Sequence, residues 1–146
     1  MYTIQPLTEQ LLETYSQSYL ETLAPLSPIG KHTIDSLQET LKIMQTQWTS
    51  VFIALDDAKW IIGTCSILIE RKFNRGWSQA AHLEDLSVHR SAQGKGVGTA
   101  LLQHIKQFAV EQGCYKIILD CDPSLEDRYA KNWFHKWGSM MKIGIN

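Results

Sequence analysis

Apolar and polar positions alternate weakly from Met1 to Leu7 and stop at Pro6-Leu7-Thr8, which predicts a short strand running into a helix. Thr8 offers an N-cap oxygen and Glu9 an acid for the first turn, and the helix is expected to reach about Leu23. The next stretch, APLSPIG, is a loop by its two prolines and its glycine. From Thr33 to about Gln47 the apolar residues Ile34, Leu37, Leu41 and Met44 return at helical spacing. The pattern then shortens: SVFIAL, WIIGTCSILIERKF after a DDAK turn, and HLEDLSVH after NRGWSQ predict three strands in a meander. Leu101, Leu102, Ile105, Phe108 and Ala109 resume a helix that Gly113 stops. YKIILDC predicts a buried strand, DPSLEDRYAKNWFHKW a helix begun at Asp122 or Ser124 with Pro123 in its first turn, and SMMKIGI a short last strand.

At 146 residues and 44% hydrophobic, the chain holds material for one compact core, so one domain over 1–146 is expected. A formal charge of -1 gives no bulk attraction to nucleic acid or to an anionic membrane, and neither is expected as a partner. Three cysteines, Cys65, Cys114 and Cys121, form neither a disulfide framework nor a tetrahedral zinc set, which points to a reducing, cytoplasmic setting and no metal. No stretch approaches a membrane-spanning apolar run, and no basic leader precedes an apolar segment. The chain is expected to be soluble and unexported.

The densest chemistry lies in QGKGVG at 93 to 98, between a strand and a helix. Thr99 stands where a dinucleotide fingerprint would place its third glycine, and no G-x-x-x-x-G-K-[ST] occurs, so the stretch is neither Rossmann nor P-loop. Small residues here let the backbone approach a ligand, and free N–H groups at the helix start suit a pyrophosphate. His82-Leu83-Glu84 has the H-x-E of zinc deaminases, but no P-C-x-x-C follows.

HLEDLSVHRSAQGKGVGTALL resembles the acetyl-CoA-binding segment of the Gcn5-related N-acetyltransferase superfamily, with its [QR]-x-x-G-x-[GA] signature. ILIERKF, HLEDLSV, QGKGVG and GCYKIILDCD with Tyr129 are similar to the glucosamine-6-phosphate N-acetyltransferase family within it. The resemblance implies an α/β fold with a mixed, mostly antiparallel sheet flanked by helices, acetyl-CoA as co-substrate, an amino-sugar phosphate as acceptor, and a homodimer. It places the sugar phosphate at Ser27, Lys72, Arg75, Glu84, Asp85 and Asp120. It places acetyl-CoA on the backbone of Leu86, Ser87 and Val88 and on Gln93, Gly94, Lys95, Gly96, Val97, Gly98 and Thr99. Tyr129 matches the tyrosine that faces the thioester sulfur. The chain departs from the pattern at Leu125, where the superfamily often has an Asn; at Trp133, where the family has Gly; and at Gly144, where it has a basic residue.

Chemistry assigns the roles. An amine attacks only when neutral, and one with a pKa near 8 is mostly protonated at neutral pH, so a base is needed. Glu84 is the candidate base, with Asp85 and Asp120 beside it, a strand N–H the oxyanion donor, and Tyr129 the acid for the leaving thiolate. Each residue also has a plainer reading. Glu84 and Asp85 are adjacent on a strand and expected on opposite faces, Tyr129 suits a core, Lys72 a surface, and Asp120 a turn. Two other readings stay open: a transferase of this fold with another amine acceptor, and a weakly catalytic acyl-CoA-binding module.

Overall fold

A computed structural model describes residues 1–145. Five strands form one mixed sheet in sequence order: β1 (Tyr2–Pro6), β2 (Thr49–Asp56), β3 (Ile61–Arg71), β4 (Gln79–Val88) and β5 (Cys114–Ile118). The first three pairings are antiparallel, as short turns between consecutive strands allow. β4 and β5 are parallel. Their crossover is α3 (Val97–Glu111).

β2 and β3 are buried on both faces because helices cover both. On one side Phe52, Ala54, Cys65 and Ile67 pack with Leu101, Leu102 and Ile105 of α3. On the other, Val51, Ile53 and Leu55 meet Leu12 of α1 (Glu9–Leu23) and Leu41 of α2 (Ile34–Thr46). Gly63 lets α3 sit close to the sheet: a Cβ there would lie 2.7 Å from Val97 Cγ1 and 3.0 Å from Leu101 Cδ1.

The Thr8 cap falls where the residue pattern puts it, and the structure adds one at Thr33. Thr8 accepts from Leu11 N–H at 3.2 Å, and Thr33 forms a capping box with Ser36. The face of α1 that meets the sheet also carries hydroxyls. Thr22 donates to the Ile61 carbonyl at 2.7 Å, and Ser18 accepts from Ile61 N–H at 3.2 Å. Both side chains are buried, so these bonds satisfy backbone groups that water cannot reach.

Four expectations change. β4 starts at Gln79, three residues before HLEDLSVH, because Ala80 and Ala81 are small enough to pack fully buried against the neighbouring strands. β5 is not buried: it lies at the sheet edge, where Tyr115 and Lys116 are exposed. The helix read from 122 onward is a 3-10 turn at Pro123–Leu125 followed by α4 (Glu126–Ala130), after which a turn runs to Trp133, which takes φ +71°. SMMKIGI forms no strand, and Met140 to Ile145 are exposed.

Candidate active site

The site begins with a miscount in the ladder. Ser66 of β3 faces Glu84, but Thr64 faces Ser87, so Asp85 and Leu86 together oppose Cys65. This β-bulge puts Asp85 at φ +50°, a conformation Asp tolerates better than most residues. Strict alternation is lost, and Glu84 and Asp85 line the same cleft rather than opposite faces. That overturns the expectation from strand periodicity.

The second cause of the cleft is strand separation. β4 and β5 pair from Gln79↔Cys114 to His82↔Ile118 and then part. A space of about 240 Å³ opens between them, walled by Leu83, Glu84, Asp85 and Leu86 on one side and by Leu119, Asp120 and Cys121 on the other. Leu125 and Tyr129 approach from the 3-10 turn and α4, and Leu26 from the α1–α2 loop. Beyond His82, one edge of β4 has no strand partner, which leaves backbone amides facing the cleft side.

Electrostatics follow from this grouping. Glu84 opens onto solvent, yet partial desolvation, then the like charges of Asp120 and Asp85, raise its pKa above the ordinary carboxyl value. Its carboxylate is a better proton acceptor for that reason. Half-buried Tyr129 has its pKa raised, first by desolvation and then by Cys121, so it is a neutral phenol able to donate. Its ring meets Phe134 edge-on at 5.8 Å, which holds its orientation. The Cys121 thiol is raised by desolvation and by Glu126, Asp120 and Asp122, and stays protonated.

The glycine stretch lies just past β4. His89 N–H bonds the Ile62 carbonyl at 2.9 Å, and a 3-10 turn at Arg90–Ala92 leads to Gln93, whose amide donates to the Val88 carbonyl at 3.1 Å. Gly94 and Gly96 take φ +75° and +81°, and a Cβ on either would touch nothing within 4 Å. The glycines are therefore needed for backbone conformation, and the space before them is open. Gly96 caps α3 without a side-chain acceptor, and no acid occupies the first turn. The first amides of α3, at Val97, Gly98 and Thr99, are the unpaired donors of a helix N-terminus.

The structure thus brings Glu84, Asp85, Asp120, Tyr129 and Leu86 together. Ser87 and Val97 turn their side chains away: Ser87 donates to the Thr22 carbonyl at 2.5 Å, and Val97 is buried in the core. Only their backbones are available. Gln93, Gly94, Lys95, Gly96 and Thr99 are exposed. Ser27 lines a separate space under α1 and α2 that Asp85 also borders. Lys72 and Arg75 stand apart. Lys72 pairs with Glu70, which also holds His82 at 2.7 Å, and Arg75 lies over the Tyr115 ring at 4.9 Å. Six residues of extended chain separate Lys72 from Ser66, the partner of Glu84, or about 20 Å. Sequence reading missed Leu83, Leu119 and the hydroxyls of Ser18 and Thr22. The last pair had a signal, since i, i+4 polar residues share the face that Leu12 and Tyr19 turn inward.

Comparison with known proteins bears on the family and the fold. Residues 9–138 match the acetyltransferase (GNAT) family. The chain is 30% identical over 136 residues to glucosamine 6-phosphate N-acetyltransferase of Candida albicans, with 89% of each chain covered. It is 42% identical over 83 residues to probable glucosamine 6-phosphate N-acetyltransferase 2 of Oryza sativa subsp. japonica, spanning 57% of this chain and 50% of that relative. A crystal structure of a Trypanosoma brucei acetyltransferase superposes with a TM-score of 0.91 at 26% identity, covering 99% of this chain and 100% of that one. The chain belongs to the acetyltransferase (GNAT) family.

Proposed function

We propose that the protein transfers the acetyl group of acetyl-CoA to the amine of glucosamine 6-phosphate, releasing coenzyme A and N-acetylglucosamine 6-phosphate. One observation carries the chemistry: a carboxyl of raised pKa and a neutral phenol share one cleft beside an open strand edge. The names of the relatives support the acceptor.

The steps follow from the positions. The diphosphate of acetyl-CoA lies against the amides of Gly94 to Thr99, where the α3 dipole favours negative charge. The pantetheine arm runs along the unpaired edge of β4 at Leu86 to Val88, and the thioester enters the cleft. Glu84, directly or through water, takes the proton of the sugar ammonium. The freed nitrogen attacks the thioester carbon, an N–H of the β4 edge holds the oxygen as it becomes negative, and the C–S bond breaks. Tyr129 gives its proton to the departing thiolate. Asp85 and Asp120 hold the ammonium and the sugar hydroxyls, and keep the Glu84 pKa high.

Ser27, Lys72 and Arg75 are the remaining acceptor contacts. The 20 Å between Lys72 and the Glu84 register is long for one sugar phosphate to bridge within a protomer. A homodimer reconciles the two positions if the basic strand end of one protomer borders the cleft of the other. Three free cysteines and a charge of -1 support a reducing, cytoplasmic setting without nucleic-acid partners.

The test is thiol release from acetyl-CoA by purified protein with glucosamine 6-phosphate, glucosamine or a polyamine as acceptor. Release with the sugar phosphate at much higher kcat/KM than with glucosamine is the expected outcome. Equal use of both sugars would remove phosphate recognition from the reading.

A further inference from the structure

Among the described residues six polar side chains are buried, and five of them, Ser18, Thr22, Thr64, Ser66 and Ser87, lie where α1 packs on β3 and β4. Hydroxyls in such an interface are costly unless each has a partner, and here the partners are specific. The Ile61 carbonyl, at the start of β3, accepts from the Thr22 hydroxyl, and the Ile61 N–H donates to Ser18. These two bonds fix the C-terminal half of α1 to β3. The Thr22 carbonyl has no partner within its own helix: residue 25 is a proline without an N–H, and the Leu26 N–H bonds the Leu23 carbonyl instead. It accepts from the Ser87 hydroxyl, and both residues are buried. Tyr19 bonds the side chain of Thr64, the β3 partner of Ser87.

Ser87 sits where β4 needs holding. From Leu83 onward β4 has no β5 beside it, and its ladder to β3 is interrupted by the bulge. Glu84 pairs with Ser66, and the next pair is Ser87 with Thr64. Asp85 and the amide edge at Leu86 therefore hang between those two pairs. A strand with one free edge and a bulge can pivot there. The Ser87 hydroxyl is the side-chain hydrogen bond that ties this part of β4 to a helix.

We propose that Ser87 is a positioning residue for the acetyl transfer: its hydroxyl, held by the Thr22 carbonyl, fixes the β4 bulge against α1 and so sets where Glu84 and the N–H donors of the β4 edge stand relative to the thioester. The inference rests on the function proposed above. The Ser87 side chain touches no substrate and acts through those groups. Because α1 keeps its own anchor at Ile61, loss of the Ser87 bond loosens β4 rather than the helix. Desolvation, Asp120 and Asp85 raise the Glu84 pKa, and His82 opposes them. A loosened bulge admits water to Glu84 and relaxes its approach to the two carboxylates, which lowers that pKa. Tyr129 and Cys121, the other titratable groups of the cleft, stay neutral.

The experiment measures kcat, KM and the pH profile of kcat/KM with acetyl-CoA and glucosamine 6-phosphate, and urea stability, for the wild type, Ser87→Ala, Ser87→Cys and Thr22→Val. Ser87→Cys fills the space but donates weakly, so it remains if Ser87→Ala misfolds. Thr22→Val removes a hydroxyl of the same interface and keeps the carbonyl that holds Ser87, which makes it the control for lost stability. The expected result is a kcat about tenfold or more lower in the Ser87 variants, with the KM for acetyl-CoA within about twofold and the acid limb moved to lower pH. Thr22→Val should lose stability and keep both kcat and the limb. Wild-type kcat in a folded Ser87 variant overturns the inference. So does a loss that Thr22→Val matches, or one that leaves the limb in place, since lost stability then accounts for it. Failure of both Ser87 variants to fold makes the hydroxyl structural and overturns it as well. These outcomes leave the proposed function standing, whereas a wild type silent with the sugar phosphate overturns both readings together.

Discussion

Glu84 is the residue on which the proposed chemistry turns, and its neighbours set its titration. Desolvation raises its pKa first, and the like charge of Asp120 second. A base works when deprotonated, so kcat/KM should fall as pH drops through the Glu84 pKa, at a pH above the ordinary carboxyl value. Removing a like charge lowers that pKa. Asp120→Asn is therefore expected to move the acid limb of the kcat/KM profile to lower pH, while Glu84→Gln loses turnover and keeps coenzyme A binding. An acid limb that stays in place in Asp120→Asn, or moves upward, would separate Asp120 from the base. Residue types in HLEDLSV pointed to this pair, but their joint use did not follow from alternation. The bulge depends on a two-to-one match between β4 and β3, and nothing in either strand alone marks where the extra residue goes.

At the scale of elements, the segment from β4 to α3 is where local pattern and structure agree most closely. The glycine positions, the amphipathic face of α3 and the Gly113 stop were all legible, because each depends on conformation within a few residues. Gly96 at φ +81° caps α3, and a methyl there meets no neighbour. Gly96→Ala should therefore fold, lose about 1–2 kcal/mol to left-handed strain, and bind coenzyme A more weakly as the first-turn amides shift. Gly98 is the control: its φ is not left-handed, and a Cβ would make an ordinary 3.6 Å contact with Val88. Gly98→Ala should keep both stability and affinity. Urea titration and calorimetric titration with coenzyme A measure the two effects. Unchanged affinity in Gly96→Ala would detach the loop from ligand binding. β5 was misread for a different reason. Its apolar run looks like a core strand, but burial depends on what lies beyond it in the sheet, which its own residues do not state.

For the whole molecule, the meander follows from the order and period of the elements, and the structure has it; the parallel return through α3 and the core on both faces of the sheet came only with the structure. What sequence order did not locate is the outer neighbour of β5. That edge has unpaired backbone groups along Cys114–Ile118, and exposed Tyr115 stands on it. Met141 is 94% exposed and Ile143 84%, and Trp137 and Ile145 are exposed with them. Single apolar residues on a surface are ordinary, but a segment this apolar is what a second copy would cover in the proposed homodimer. A second copy is the partner that the proposed phosphate contacts call for, since Lys72 and Glu84 lie too far apart to serve one acceptor with ease. Sedimentation velocity should show a dimer across the micromolar range. The double substitution Met141→Glu and Ile143→Glu should give a monomer with unchanged circular dichroism, because neither residue packs in the core. If the segment carries the dimer and the dimer completes the phosphate site, that monomer should show a raised KM for glucosamine 6-phosphate and nearly unchanged affinity for coenzyme A. A wild-type monomer with full activity would leave the exposed segment without this role and return phosphate recognition to residues of one chain.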